Sequence, residues 1–221
     1  MLSVYFMKYS DENGLLDEDN LYAFLNRMIA FIWTYAVMRP GVNALRTPAY
    51  PAMIDIVNGK EVDFAEFKFD TNQVSTMLTN YEFTNQRPIT RSMLAWWAYN
   101  DENQQLISND TTLEVEHIFS RQRQINEKGL KNKNSLESLG NKALLEKGIN
   151  IRASDYRFQD KKKYYLGFTN EKGKVKEGTK VYELRNMAKA RDDFQENDIV
   201  NRKNTMIEEF IAFIADNDLA L

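Results

Sequence analysis

The chain has 221 residues, enough for one large domain or a main domain with a small appendage. Hydrophobic residues make up 43% and aromatic residues 12%, so a sizeable core can form and a disordered chain is excluded. The formal net charge of −3 argues against a uniformly basic nucleic-acid-binding surface, and the lack of cysteine excludes disulfides, thiolate zinc sites and cysteine nucleophiles.

Residues 17 to 39 read as a helix. Asp17 to Asp19 offer N-cap side chains, and Leu21, Phe24, Leu25, Met28, Phe31, Ile32 and Tyr35 recur at helical spacing. Arg39-Pro40-Gly41 ends it, because proline cannot continue a helix and glycine suits the exit. The longest apolar stretch, Met28 to Met38, is too short for a membrane span, and the N-terminus lacks the order of a signal peptide. No membrane is expected, and the cytoplasm is the expected location. "VNALRTPAYPAMIDIVNGK" reads as a second, shorter helix interrupted at Pro48 and Pro51, and "DFAEFKFDTNQVSTMLTNYEF" as a weak third. Thr90 opens a fourth, "TRSMLAWWAYNDENQ", with Met93, Leu94, Trp96 and Trp97 as core candidates.

The character changes near residue 110. "NDTTLEVEHIF" alternates and is rich in β-formers, which predicts a strand. A polar loop from Ser120 to Ser138 follows, then a strand or turn leading into a helix over "LGNKALLEKGIN". "KVYELRNMAKARDD" and "NDIVNRKNTMIEEFIAFIADN" read as two C-terminal helices. The expected fold is mainly α with one small β-containing insert, and no internal repeat divides it.

The insert holds the only histidine, His117, directly after Glu116. A lone histidine is usually structural. Neighbours on a strand point to opposite faces, but at a strand end or bulge they can converge on one site. A carboxylate and an imidazole with amide oxygens nearby form a mostly hard ligand set that suits Mg²⁺ or Mn²⁺ better than zinc. The amide oxygens are available from Asn141 and Asn150, nine residues apart. Either asparagine alone would read as a turn or cap residue.

With "VEHIF", "LGNKALLEKGIN" and "FQDKKKYY" in this order, the chain resembles the HNH (ββα-metal) nuclease domain at the C-terminus of GmrSD-type modification-dependent restriction enzymes and related phage-defence proteins. The order acidic-His, Asn, Asn is also similar to the HNH domain of RNA-guided CRISPR nucleases. "RPITRSMLAWW" and "NDIVNRKNTMIEEFIAFIA" look like the flanking parts of the GmrSD-type domain, so the resemblance extends over residues 18 to 217.

The resemblance implies an α+β fold with a ββα-metal core at 110–165, a helical lead-in at 18–109 and C-terminal helices at 166–221, together one domain over 1–221. It implies His117 as the general base that activates water and Glu116 as the acidic metal ligand. It implies Asn141 as the residue that holds the loop and orients the histidine, and Asn150 as the second metal ligand, an HNN variant of the motif. Ser120 and Asp155 stand where the family commonly has proline and asparagine.

Phosphodiester hydrolysis needs such a set: a near-neutral imidazole to take a proton, and a hard divalent ion, Mg²⁺ or Mn²⁺, to stabilise charge on the phosphate. Phosphate-binding candidates are Arg121, Arg123, Lys142, Lys147, Arg152, Lys161, Lys162 and Lys163, with Arg202 in the final helix; each alone reads as a solvated charge. The implied substrate is double-stranded DNA, including modified phage DNA, cut or nicked in restriction or anti-phage defence. The implied partner is an N-terminal nucleotide-hydrolysing domain or subunit. No G-x-x-x-x-G-K-[ST] loop occurs here, so the chain reads as a fragment of a longer protein, with a free-standing subunit as the alternative. The alternatives are a catalytically inactive DNA-binding or protein-interaction module that has kept the fold, and a helical protein whose histidine is incidental.

Overall fold

The computed structural model describes residues 1–41 and 43–221. Val42, the first residue of the second predicted helical stretch, lies outside the described residues. The chain is mainly helical, with two small two-stranded sheets. It divides into two compact units, residues 1–81 with 207–221, and residues 82–206.

The first unit holds α1 (Leu2–Tyr9), α2 (Glu18–Met38), α3 (Arg46–Val57) and α4 (Thr71–Asn80). Asp17 caps α2 by accepting from the Asn20 amide at 2.8 Å, and Glu18 and Asp19 add negative charge at its positive end. The core forms around Phe31, which stacks on Phe64 with ring centroids 3.8 Å apart and touches Phe67 and Phe69. By length and composition α2 as a whole would pass for a membrane span, which an eleven-residue apolar run does not reveal. Within the first unit it contributes Ala30, Phe31 and Val37, which are fully enclosed. Helix α1 was not expected from periodicity. Helix α3 is continuous where an interruption was expected: Pro48 falls in the first turn, where no N–H is required, and Pro51 removes one bond inside it.

The second unit carries α5 (Pro88–Tyr99), β1 (Leu113–His117), α6 (Arg121–Glu127), β2 (Lys142–Glu146), α7 (Lys147–Ala153) and α8 (Phe158–Leu166). After these come the hairpin of β3 (Gly167–Thr169) and β4 (Val175–Glu177), and α9 (Tyr182–Ala190). Helix α10 (Glu196–Asp216) runs through the boundary, with its first part in this unit. Pro88 starts α5, whose fixed φ suits a first helical position. Met93 and Leu94 are buried, whereas Trp96 and Trp97 are only half-buried.

The predicted polar loop at 120–138 contains α6. Ser120 caps it, accepting from the Arg123 amide at 3.1 Å, so a helix with no buried residue forms without an apolar face to announce it. β1 and β2 pair antiparallel, with Glu116 opposite Ala143 and His117 opposite Lys142. β2 runs directly into α7, which completes a β–β–α unit, and α8 packs on α7. Gly140, just before β2, lies against α10: a Cβ there would sit 2.1 Å from the Ile199 carbonyl oxygen.

Candidate active site

Alternation along β1 sends Glu114 and Glu116 to one face of the hairpin and His117 to the other. On the first face Glu116 is 4% exposed. Its Oε1 accepts from Lys161 Nζ at 2.6 Å and from the Tyr165 hydroxyl at 2.7 Å. Both donors come from α8, where their spacing of four places them on one side of the helix. Lys161 Nζ also donates to the His117 carbonyl at 2.7 Å. Burial pushes the Glu116 carboxyl up, against the lowering pull of Lys161 and the Tyr165 hydroxyl, and the net shift is upward. Asn150, on α7, donates from Nδ2 to Glu114 Oε2 at 2.9 Å. That bond fixes the amide so that Oδ1 is the atom left over.

On the second face His117 Nε2 is 2.9 Å from Lys142 Nζ and 3.3 Å from Glu137 Oε1. Lys142 Nζ also donates to Glu137 Oε2 at 2.8 Å and to Asn85 Oδ1 at 2.7 Å. Arg121 donates to Glu137 Oε1 at 2.9 Å. Burial lowers the His117 imidazole below its ordinary value, and the Lys142 charge pushes the same way against the raising effect of Glu137. Burial would raise the Glu137 carboxyl, but His117 and Lys142 outweigh it and hold it far below the usual range. Burial lowers the Lys142 ammonium.

Asn141 is wholly buried. Its Oδ1 accepts from the Phe119 amide at 2.8 Å, and its Nδ2 donates to the carbonyls of Phe119 and Leu136 at 3.0 Å each. Its own carbonyl accepts from the Ile118 amide at 2.9 Å. The three bonds to Ile118 and Phe119 clip the segment after β1 to the segment before β2, and the bond to Leu136 closes that second segment on itself. Ser120 adds a tie, donating to the Asp155 carbonyl at 2.9 Å.

A cavity of about 270 Å³ opens between β1 and α7–α8, lined by Glu116, His117, Arg121, Asn150, Asp155 and Lys161 among others. The hairpin thus brings Glu116, His117 and Asn150 to one opening, although the first two side chains leave the strand on opposite faces. Asn141 lies behind it as a clip. Among the described residues no three His, Asp or Glu side chains group tightly enough to hold an ion by themselves. The oxygens left over are one of Glu116 and the amide oxygen of Asn150, with Asp155 also on the cavity wall. That all-oxygen set fits a small hard cation that keeps several waters.

The cations predicted to meet phosphates separate sharply. Lys142 is 0% and Lys161 1% exposed, with their ammonium groups fully engaged inside the protein. Arg202 donates to Glu183 and to the carbonyls of Leu139, Gly140 and Lys142. Burial corrects the expectation for Lys142 and Lys161, which hold the hairpin together and have no surface to offer a phosphate; Arg202 is half-buried and its guanidinium is taken up by these bonds. Arg123 is engaged by Glu127 and Asp193 and lies over the Phe119 ring, and Lys162 pairs with Asp192. Arg152 is half-buried. Arg121, Lys147 and Lys163 remain exposed.

Sequence reasoning missed Glu114, Glu137, Tyr165 and Asn85. Two left a signal: Glu114 precedes Glu116 by two on a strand, and Tyr165 follows Lys161 by four on a helix. Glu137 and Asn85 left none, because only the folded chain brings them to Lys142.

Comparison with curated proteins and with solved structures gives no match. Residues 69–209 match the model of one family, described as GmrSD restriction endonucleases, C-terminal domain. That match takes in the whole of the second unit and well over half of the sequence. The chain therefore belongs to the family of GmrSD restriction endonuclease C-terminal domains, nuclease-type domains of restriction enzymes.

Proposed function

We propose that the chain is an HNH-type, metal-dependent DNA endonuclease or nickase domain that hydrolyses phosphodiester bonds as the effector of a restriction or anti-phage defence system. The observation that carries this reading is the cavity whose wall His117 shares with Glu116 and Asn150. Bound Mg²⁺ or Mn²⁺ supplies Lewis-acid stabilisation of the charge that builds on the phosphate. Glu116 and Asn150 would hold it.

The remaining steps belong to the protein. Nε2 of His117 faces Lys142 and Glu137, so Nδ1 is the nitrogen that takes the proton from the attacking water. That requires the hydrogen on Nε2, where it would donate to Glu137 Oε1 at 3.3 Å beside Lys142 Nζ at 2.9 Å, whose own N–H groups would go to Glu137 Oε2 and Asn85. Glu137 thereby sets the tautomer and balances the imidazolium that forms. Arg121, which lines the cavity and donates to Glu137, would hold a backbone phosphate.

Double-stranded DNA, modified phage DNA included, is the proposed substrate. The N-terminal nucleotide-hydrolysing partner would supply recognition, and a cysteine-free chain suits the cytoplasm. The whole chain, 1–221, would act as one functional module.

Supercoiled plasmid with Mg²⁺ or Mn²⁺ tests the reading. The wild type should convert it to nicked or linear form, and His117→Ala should lose about 10²–10⁴-fold in rate. Unchanged cleavage in the variant rules out His117 as the base. A second reading, a catalytically inactive DNA-binding or interaction module, draws on the Lys161 ammonium that already neutralises Glu116. It predicts plasmid retardation without cleavage under any divalent cation.

A further inference from the structure

The Glu116 carboxylate is held asymmetrically. Oε1 accepts two short bonds, from Lys161 Nζ at 2.6 Å and from the Tyr165 hydroxyl at 2.7 Å. Among the described residues no protein donor reaches Oε2 of this carboxylate, which belongs to a residue 4% exposed on the wall of the cavity. Lys161 and Tyr165 are themselves 1% and 0% exposed, so neither can swing away without opening the core. Lys161 is further pinned by the His117 carbonyl at 2.7 Å. Asn150 is treated similarly: Glu114 takes its Nδ2, leaving one amide oxygen.

We propose that Lys161 and Tyr165 are positioning residues that restrict Glu116 to a one-oxygen ligand, and that this restriction selects Mg²⁺ or Mn²⁺ against Ca²⁺. The inference rests on the metal site proposed above. Ca²⁺ takes six to eight oxygens, often including both oxygens of a carboxylate, at 2.3–2.6 Å, on the order of half an ångström farther out than Mg²⁺. Mg²⁺ accepts one or two single carboxylate oxygens and fills an octahedron with water. A carboxylate with one oxygen blocked by two buried donors, beside a single amide oxygen, supplies the second pattern and withholds the first. The Lys161 charge adds to the effect: it already neutralises Glu116, so a site with few anionic ligands gains little from a large ion that needs many.

The test is isothermal titration calorimetry of the 221-residue chain with Mn²⁺ and with Ca²⁺, which needs no turnover. The wild type should bind Mn²⁺ at least about tenfold more tightly than Ca²⁺. In Lys161→Met, Oε1 loses its charged donor and the two affinities should approach each other to within about twofold, chiefly through tighter Ca²⁺ binding. Tyr165→Phe keeps the buried ring and should move the ratio in the same direction by a smaller factor, so the inference stays testable if Lys161→Met fails to fold. An unchanged ratio in folded Tyr165→Phe and Lys161→Met overturns the inference and leaves the metal site standing. No Mn²⁺ binding by the wild type, or binding that survives Glu116→Ala with Asn150→Ala, overturns the metal site and this inference with it.

Discussion

His117 is enclosed by groups that pull its protonation in opposite directions. Burial and the Lys142 charge favour the neutral ring, Glu137 favours the charged one, and the balance lies below the ordinary value of 6.5. A base must be neutral to act, so the cleavage rate should be flat above pH 6.5 and fall only as pH drops through the depressed value. Linkage runs the same way: between the two values the unfolded chain binds more protons, so stability rises with pH across that window and is complete above 6.5. Glu137→Gln removes the group that raises the imidazole and should shift the acid limb further down. A pH–rate profile with its acid limb above 6.5 would contradict the arrangement. Lys142 gives a separate test. Lys142→Met leaves Glu137 without its principal cation and Asn85 without its donor, which should destabilise the protein by about 3 kcal/mol in urea unfolding. A loss under about 1 kcal/mol would show that the cluster is not coupled as the distances indicate. None of this was legible in the sequence, where Lys142 is one more lysine in a basic region. Cross-strand pairing with His117 is what buries it, and pairing depends on register.

At the scale of elements, the parts with strong period were legible and the parts held by tertiary contact were not. α2 and α5 are apolar at helical spacing, and β1 alternates, so they could be read directly. β3 and β4 are three residues each, too short for alternation to mark them. α6 has no buried face, and only the Ser120 cap betrays it. The motif "LGN" shows why a glycine stands before the clip residue. Gly140 meets the Ile199 carbonyl and the Lys203 backbone nitrogen so closely that an added Cβ cannot be accommodated without moving α10 or the start of β2. Gly140→Ala should therefore destabilise by at least about 2 kcal/mol, and since Asn141 follows directly, it should also disturb the clip between Phe119 and Leu136. A wild-type urea midpoint in Gly140→Ala would mean that this close approach is relaxed in solution.

For the molecule as a whole, net charge and DNA binding have to be reconciled. At −3 the chain does not attract a polyanion globally, so binding must come from a local group of exposed cations. Sequence alone offered nine candidates in and beyond the insert. Folding buries Lys142 and Lys161, half-buries Arg152 and Arg202, and ties Arg123 and Lys162 to carboxylates, which leaves Lys147, Lys163 and Arg121, itself donating to Glu137, as the exposed set. A small set of phosphate contacts predicts a shallow salt dependence, because each neutralised phosphate releases about 0.9 counterion from a duplex. Measured by fluorescence anisotropy on a short duplex without divalent cation, Arg121→Ala with Lys147→Ala should flatten the slope of log affinity against log salt by about 1.8. Lys162→Ala, already paired with Asp192, should leave the slope as it is. If the Lys162 variant flattened the slope and the Arg121–Lys147 pair did not, the DNA would have to cross the outer side of α8 away from the cavity, and the cavity could not be where the strand is cut.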